Sequence, residues 1–184
     1  MPLREVLQFP DPRLKQRSAP VGEISDEIRA LARDMIEVMY DEPGIGLAAP
    51  QVGEAIRLVV MDIGWNEEGG EKDPRVMVNP EIVLREGTLI WNEGCLSVPD
   101  FQADVERAAR VVVRYGDLDG NRHEEDVTEL RAVCFQHEID HLDGVLFIDR
   151  ISRLKRSLYV QRRRKALERA DPEEPAAAKG GRAL

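Results

Sequence analysis

The sequence predicts an α+β fold. Three observations carry that expectation. Helical apolar spacing recurs at 25–41, at about 129–142 and from Ser152 onward. The middle of the chain holds several short apolar runs with the look of strands. Strands and helices do not alternate in the βαβ rhythm of a parallel sheet.

The first helix is expected over 25–41. Ser25 is a good N-cap, and Asp26 and Glu27 complement the positive end of the helix dipole. Ile28, Leu31, Ala32, Met35, Ile36 and Met39 fall on one face, and Pro43 with Gly44 ends the element. The runs 58–61, 76–78, 82–84 and 111–113 read as separate strands, with a Gly- and Glu-rich loop, 64–74, after the first. Asp119-Gly120 marks a hairpin turn before a strand near 123–128. In the second helix Leu130, Val133, Cys134, His137 and His141 share a face, and Gly144 closes it. The third helix carries Leu154, Leu158 and Leu167 among many Arg and Lys, and these leucines are expected to pack on the domain. Residues 170–184 are expected to form a disordered tail, since Pro, Ala, Gly and charge dominate there. No internal repeat is visible.

A chain of 184 residues, 42% of them hydrophobic, suits one compact domain, taken here as 1–169. No apolar run approaches the roughly 18 residues of a membrane span. The N-terminus, Met1-Pro2-Leu3-Arg4-Glu5, lacks the features of a signal peptide. A cytoplasmic protein without membrane partners is expected, with Cys95 and Cys134 as reduced thiols. The net charge of −9 conceals an asymmetry. Residues 1–149 hold 15 basic and 31 acidic side chains, whereas 150–169 hold nine basic and one acidic. A basic segment on an acidic body hints at a polyanionic partner.

The strongest chemical signal is His137-Glu138-Ile139-Asp140-His141, an HExxH within the second helix. Residues four apart share a helical face, so both imidazoles can reach one ion. Glu138 is rotated by about 100° and can flank that ion as a general base toward a water. The plain alternative is a pair of structural histidines. His123, the third histidine of the chain, is expected to be solvated on a surface strand.

A catalytic site needs a third protein ligand and an open position. Downstream the third-histidine position of one metallopeptidase class holds Phe147, and Glu168, Glu173 and Glu174 are poorly placed. Cys95, in Glu93-Gly94-Cys95-Leu96-Ser97-Val98-Pro99, is the upstream candidate, because its setting is polar and turn-like. Cys134 lies on the apolar helix face and is expected only to pack. A further segment, Gly44-Ile45-Gly46-Leu47-Ala48-Ala49-Pro50-Gln51-Val52-Gly53, suggests a tight backbone wall around a small substrate. It has no Lys-Ser/Thr after the glycines, so it is not a phosphate loop.

GIGLAAPQVG, EGCLSVP and QHEIDHLDG, in this order, resemble the three motifs of the peptide deformylase family. The resemblance extends from Phe9-Pro10-Asp11-Pro12 to about Lys155. It implies small β-sheets surrounding a central helix that carries HExxH, followed by a C-terminal helix. It implies removal of the formyl group from the N-terminal formyl-methionine of nascent polypeptides. Cys95, His137 and His141 match the metal ligands and Glu138 the catalytic acid/base. Gln51 and the backbone N–H of Leu96 match the oxyanion donors, and Gly46 the glycine whose carbonyl meets the substrate. Ile45, Trp91, Leu130, Val133 and Cys134 match the lining of the methionine pocket. The family often has Arg or Tyr where this chain has Gln102, a departure that touches substrate binding beyond the methionine.

Two imidazoles and a thiolate would hold zinc tightly. The resemblance implies Fe²⁺ in the cell, with Ni²⁺ or Co²⁺ as active substitutes and Zn²⁺ common in purified protein. The expectation here is iron. The rivals are a zinc metallopeptidase and an RNA-binding module with a structural metal. The basic helix 150–169 is expected to turn toward ribosomal RNA, with a plain solvated helix as the alternative.

Overall fold

A computed structural model describes residues 4–169; the tail expected to be disordered lies outside the described residues. Among them, three α-helices and seven strands follow one another as α1 (Asp26–Asp41), β1 (Gly46–Ala48), β2 (Leu58–Met61), β3 (Arg75–Glu86), β4 (Leu89–Cys95), β5 (Val98–Arg107), β6 (Arg110–Gly116), β7 (Arg122–Thr128), α2 (Glu129–Leu142) and α3 (Arg153–Arg169). The five strands β1-β2-β3-β6-β7 form one antiparallel sheet in that order, and β4 pairs with β5 in a separate hairpin. This is the expected α+β architecture.

Strand β2 shows why the sheet sits where it does. All four of its residues are buried. Side chains alternate across a strand, and the alternation divides them between two cores. Leu58 and Val60 join Leu31, Met35 and Met39 of α1, while Val59 and Met61 join Val133, Phe135 and Ile139 of α2. A strand covered on both faces reads as a continuous apolar run. A third cluster gathers β4–β5, the turn Phe147–Asp149 and Tyr159 of α3.

Helix α2 spans the expected residues, and everything from Ala132 to Leu142 is buried. Its polar residues are therefore held in the interior, where each needs a partner or a function. Gly144 then turns the chain at φ +73°, and a Cβ there would lie 2.5 Å from the Lys15 carbonyl oxygen. The Asp119-Gly120 hairpin forms as expected. The Asp117 carboxylate accepts the N–H groups of Asp119 and Asn121 at 2.9 Å each, and Gly120 adopts φ +84°.

Four features differ from expectation. Ser25 occupies the N-cap of α1, but its side chain makes no capping bond. The runs 76–78 and 82–84 belong to one strand, β3, whose register shifts between Val78 and Glu81. The interruption is a bulge: Asn79 takes φ +51° and its amide both donates to and accepts from the Val21 backbone at 2.8 Å. Strand β1 and the β4–β5 hairpin have no counterpart in the expected elements.

The fourth difference is α3. Its leucines do not pack on the domain: Leu154, Leu158 and Leu167 are 70%, 58% and 43% exposed. Tyr159 is the buried residue, stacked on Phe101 with ring centroids 4.8 Å apart. One turn on, Arg163 donates from Nε to the Phe9 carbonyl at 2.9 Å and from Nη2 to Gln8 Oε1 at 2.8 Å. Tyr159 and Arg163 are four apart and share a face, and that face is the one that docks. Residues 7–9 in turn hydrogen-bond to the site motifs: Leu7 N–H donates to the Gln51 carbonyl at 2.7 Å and Phe9 N–H to the Ser97 carbonyl at 2.8 Å. Among the described residues no helix is long and apolar enough to cross a membrane.

Candidate active site

Helix α2 presents His137 and His141 one turn apart, with ring centroids separated by 4.9 Å. The end of β4 brings Cys95 against them, so that its Sγ lies 3.2 Å from His141 Nε2. One donor atom from each of Cys95, His137 and His141 falls within 4.8 Å of the others, and all three residues are buried.

Glu93, two residues before Cys95, supports this cluster. Its Oε2 lies 2.9 Å from His137 Nδ1. A carboxylate only accepts, so Nδ1 carries a proton, and Nε2 is the ring atom turned toward the Cys95 and His141 donors. Arg107 grips the same carboxylate through Nε and Nη2 at 2.6 and 2.9 Å, and Asp140 through Nη1 at 2.5 Å. Arg150 holds the other side of Asp140. Burial alone would raise the Glu93 pKa, but the Arg107 and His137 bonds hold it down to about 2, so it is ionised.

The donor set fits a metal ion. His137 Nε2 is buried with no hydrogen-bond partner among the described residues. Burial disfavours a proton on either ring. At His141, with His137 and Arg107 adding to it, burial keeps the imidazole neutral, the form a ligand needs. At His137 the negative charges of Cys95 and Glu93 outweigh burial and draw positive charge to the ring. Such a place favours a cation, and a thiolate with two imidazoles is the chemistry of a borderline divalent metal.

Glu138 stands beside this cluster, 1% exposed, with neither carboxylate oxygen hydrogen-bonded among the described residues. Burial pushes its pKa up to about 7, with the charges of Glu93 and Asp140 adding to the rise and those of His137 and Arg107 opposing it. A carboxyl group poised near neutrality can both take and return a proton. Gly46 faces it: a Cβ at Gly46 would lie 2.5 Å from Glu138 Oε1 and 3.0 Å from Cys134 Sγ. Only a glycine lets β1 pass so close.

Gln51 lies in the short turn Ala49–Val52 after β1. Its Oε1 accepts the Ala48 N–H at 2.8 Å, which turns the amide nitrogen toward Ser97 Oγ at 3.2 Å and Cys95 Sγ at 3.8 Å. Leu96 follows Cys95 in the tight link between β4 and β5. Ile45, Val133 and Cys134 are buried in one cluster, and Trp91 and Leu130 pack against it. The three sequence motifs thus converge around one buried centre.

Other residues stand outside it. His123 lies on β7, 2.7 Å from Asp117 Oδ2 and away from the cluster. Phe147 packs its ring against His137, with centroids 6.3 Å apart, as a wall. Gln102 lies on β5 and is exposed. Sequence reasoning assigned no role to Glu93, Arg107, Asp140 or Arg150. The available signal was the placement of Glu93 inside the cysteine motif, one strand repeat before the ligand.

The family model for polypeptide deformylase matches residues 3–157. The chain belongs to the polypeptide deformylase family. The similarity of deformylase relatives runs through nearly the whole chain. A peptide deformylase of Rhodopseudomonas palustris strain BisB5 is 55% identical over 170 residues, covering 92% of this chain and 97% of the relative. The crystal structure of a peptide deformylase from Legionella pneumophila aligns with a TM-score of 0.84 at 42% identity, over 93% of this chain and 100% of that one. A peptide deformylase from Synechococcus elongatus, solved in complex with actinonin, aligns with a TM-score of 0.83 at 38% identity, over 94% of each chain.

Proposed function

We propose that this chain is a metal-dependent hydrolase that removes the formyl group from the N-terminal formyl-methionine of newly made proteins and releases formate. The observation that carries this reading is the Glu138 carboxyl group, without a hydrogen-bond partner among the described residues and beside the Cys95, His137 and His141 donors, in a chain of the deformylase family. Those three residues would hold the ion, with Fe²⁺ as the cellular metal and Zn²⁺, Ni²⁺ or Co²⁺ as alternatives. When bound, the ion supplies Lewis acidity toward a carbonyl group and a water.

The side chains divide the remaining work. Glu138 takes a proton as water adds to the formyl carbon and returns it to the amine nitrogen as the C–N bond breaks. The Gln51 amide nitrogen, already turned toward Cys95, donates to the developing oxyanion with the Leu96 N–H. The Gly46 carbonyl receives the substrate backbone. Ile45, Trp91, Leu130, Val133 and Cys134 enclose the methionine side chain. Burial of Glu138 and both histidines keeps bulk water out and strengthens each of these interactions.

Residues 1–169 are taken as one catalytic domain, acting in the cytoplasm. The basic segment 150–169 offers its exposed side to ribosomal RNA, which would bring the enzyme to its substrate. The decisive assay is anaerobic formate release from a formyl-methionyl tripeptide with metal analysis of the same sample. Cleavage of an unformylated peptide bond instead would indicate a metallopeptidase.

A further inference from the structure

Between β2 and β3 the chain crosses a long connection, 62–74, for which the proposed chemistry gives no role. Its side chains and backbone nonetheless hold the wall of the active site from behind. The Trp65 indole Nε1 donates to the Gly44 carbonyl at 2.9 Å. The Asp62 N–H donates to the Ile45 carbonyl at 2.9 Å. Two successive carbonyls of Gly44-Ile45-Gly46 are thus tied to this connection, directly before the glycine that abuts Glu138.

The connection is itself braced. Trp65 meets Tyr40 of α1 edge to face, with ring centroids 4.9 Å apart at 75°. Lys72 places its ammonium group 4.1 Å from the Tyr40 ring centroid and 5.6 Å from that of Trp65. The Tyr40 hydroxyl donates to Asp62 Oδ2 at 2.6 Å, and the Asp73 N–H donates to the same oxygen at 2.8 Å. Asp62 is only 6% exposed. Trp65 packs against the α2-side core and Tyr40 against the α1-side core, so their contact joins the two cores across the sheet edge.

We infer that Trp65 is a positioning residue for substrate: its indole N–H fixes the Gly44 carbonyl, and through it the Ile45 wall of the methionine pocket and the Gly46 carbonyl that receives the peptide. In the proposed reading Ile45 and Gly46 meet the bound substrate, whereas Glu138 and the metal ligands are carried by α2 and β4, and Gln51 is held beyond the tether by the Ala48 N–H. Loss of the tether therefore weakens ground-state and transition-state binding together, which raises KM and spares kcat. The kinetic part of the inference rests on the deformylase activity proposed above.

The test is Trp65→Phe, which keeps a ring against Tyr40 and deletes the donor. On a formyl-methionyl tripeptide, KM should rise about three- to ten-fold, the range for loss of one neutral hydrogen bond, with kcat within about two-fold of the parent. Native-state hydrogen exchange should quicken at the amides of 44–47 and stay unchanged across 110–128. An unchanged KM, or a fall in kcat at constant KM as expected of a partly misfolded sample, overturns the inference. Should the parent enzyme release no formate, the functional reading fails by itself, and exchange alone decides: unchanged exchange at 44–47 removes the tether as well.

Discussion

The Glu93 carboxylate lies 2.9 Å from His137 Nδ1 and directs the opposite nitrogen of that ring at the Cys95 thiol and its neighbours. The carboxylate thus sets both tautomer and ring orientation from outside the donor set.

Glu93→Gln tests that role. A carboxamide can still accept from His137, but its NH₂ group then faces the Arg107 guanidinium, donor against donor. Metal affinity should fall about 10- to 100-fold, measured by chelator competition. Thermal stability should fall as well, by up to about 3–5 kcal/mol for breaking a buried ion pair, with Asp140 cushioning part of that loss. Wild-type affinity in the variant would reduce Glu93 to a purely structural partner of Arg107.

The two cysteines should separate cleanly. Cys95→Ala should abolish activity and lower metal content. Cys134→Ala should retain the metal, since Cys134 packs in the α2-side core. Metal stoichiometry of the two purified proteins decides, and equal loss in both would remove the distinction between them.

Glu138→Gln should keep its metal and lose turnover by about 100- to 10,000-fold, because an amide cannot take and return a proton. Formate release and metal content measured on one sample provide the check. A variant that turned over near the parental rate would leave the proton unassigned.

Docking through α3 is best probed at Arg164 and Lys165, which are exposed. Replacing both with Gln should weaken co-sedimentation with ribosomes at low salt, and raising the salt should release the parent protein too. Turnover of short peptides should not change. Binding equal to that of the parent at low salt would return α3 to a solvated helix.

Much of this was legible in the residues themselves, for physical reasons that differ by element. Helix α2 could be bounded because its apolar spacing stops where Gly144 turns the chain. The donor set was legible because few residue types bind such metals and the chain has three histidines. Strand β1 was not, since three buried residues beside glycines carry no alternation. The β4–β5 hairpin was hidden because β4 bears Asn92, Glu93 and Gly94 where a surface strand would show a pattern. In α3 the leucines suggested the wrong face, since Tyr159, Val160, Arg162 and Arg163 make the contact. The support from Glu93 and Arg107 lies across two strands and a helix, and only tertiary structure brings such charges together.

Arg163 and Phe9 lie 154 positions apart, yet they clasp. Phe9 in turn leans on Ser97, and Leu7 on Gln51. The last helix is therefore a fastener for residues 7–9, which hydrogen-bond to the segments that carry Gln51 and Cys95. Cutting the chain before α3 would release that fastener along with the basic surface. A shortened enzyme would be slow in a test tube that contains no ribosomes, for a reason unrelated to docking. The two contributions of α3 separate only by substitution on its outward face, with Tyr159 and Arg163 left in place.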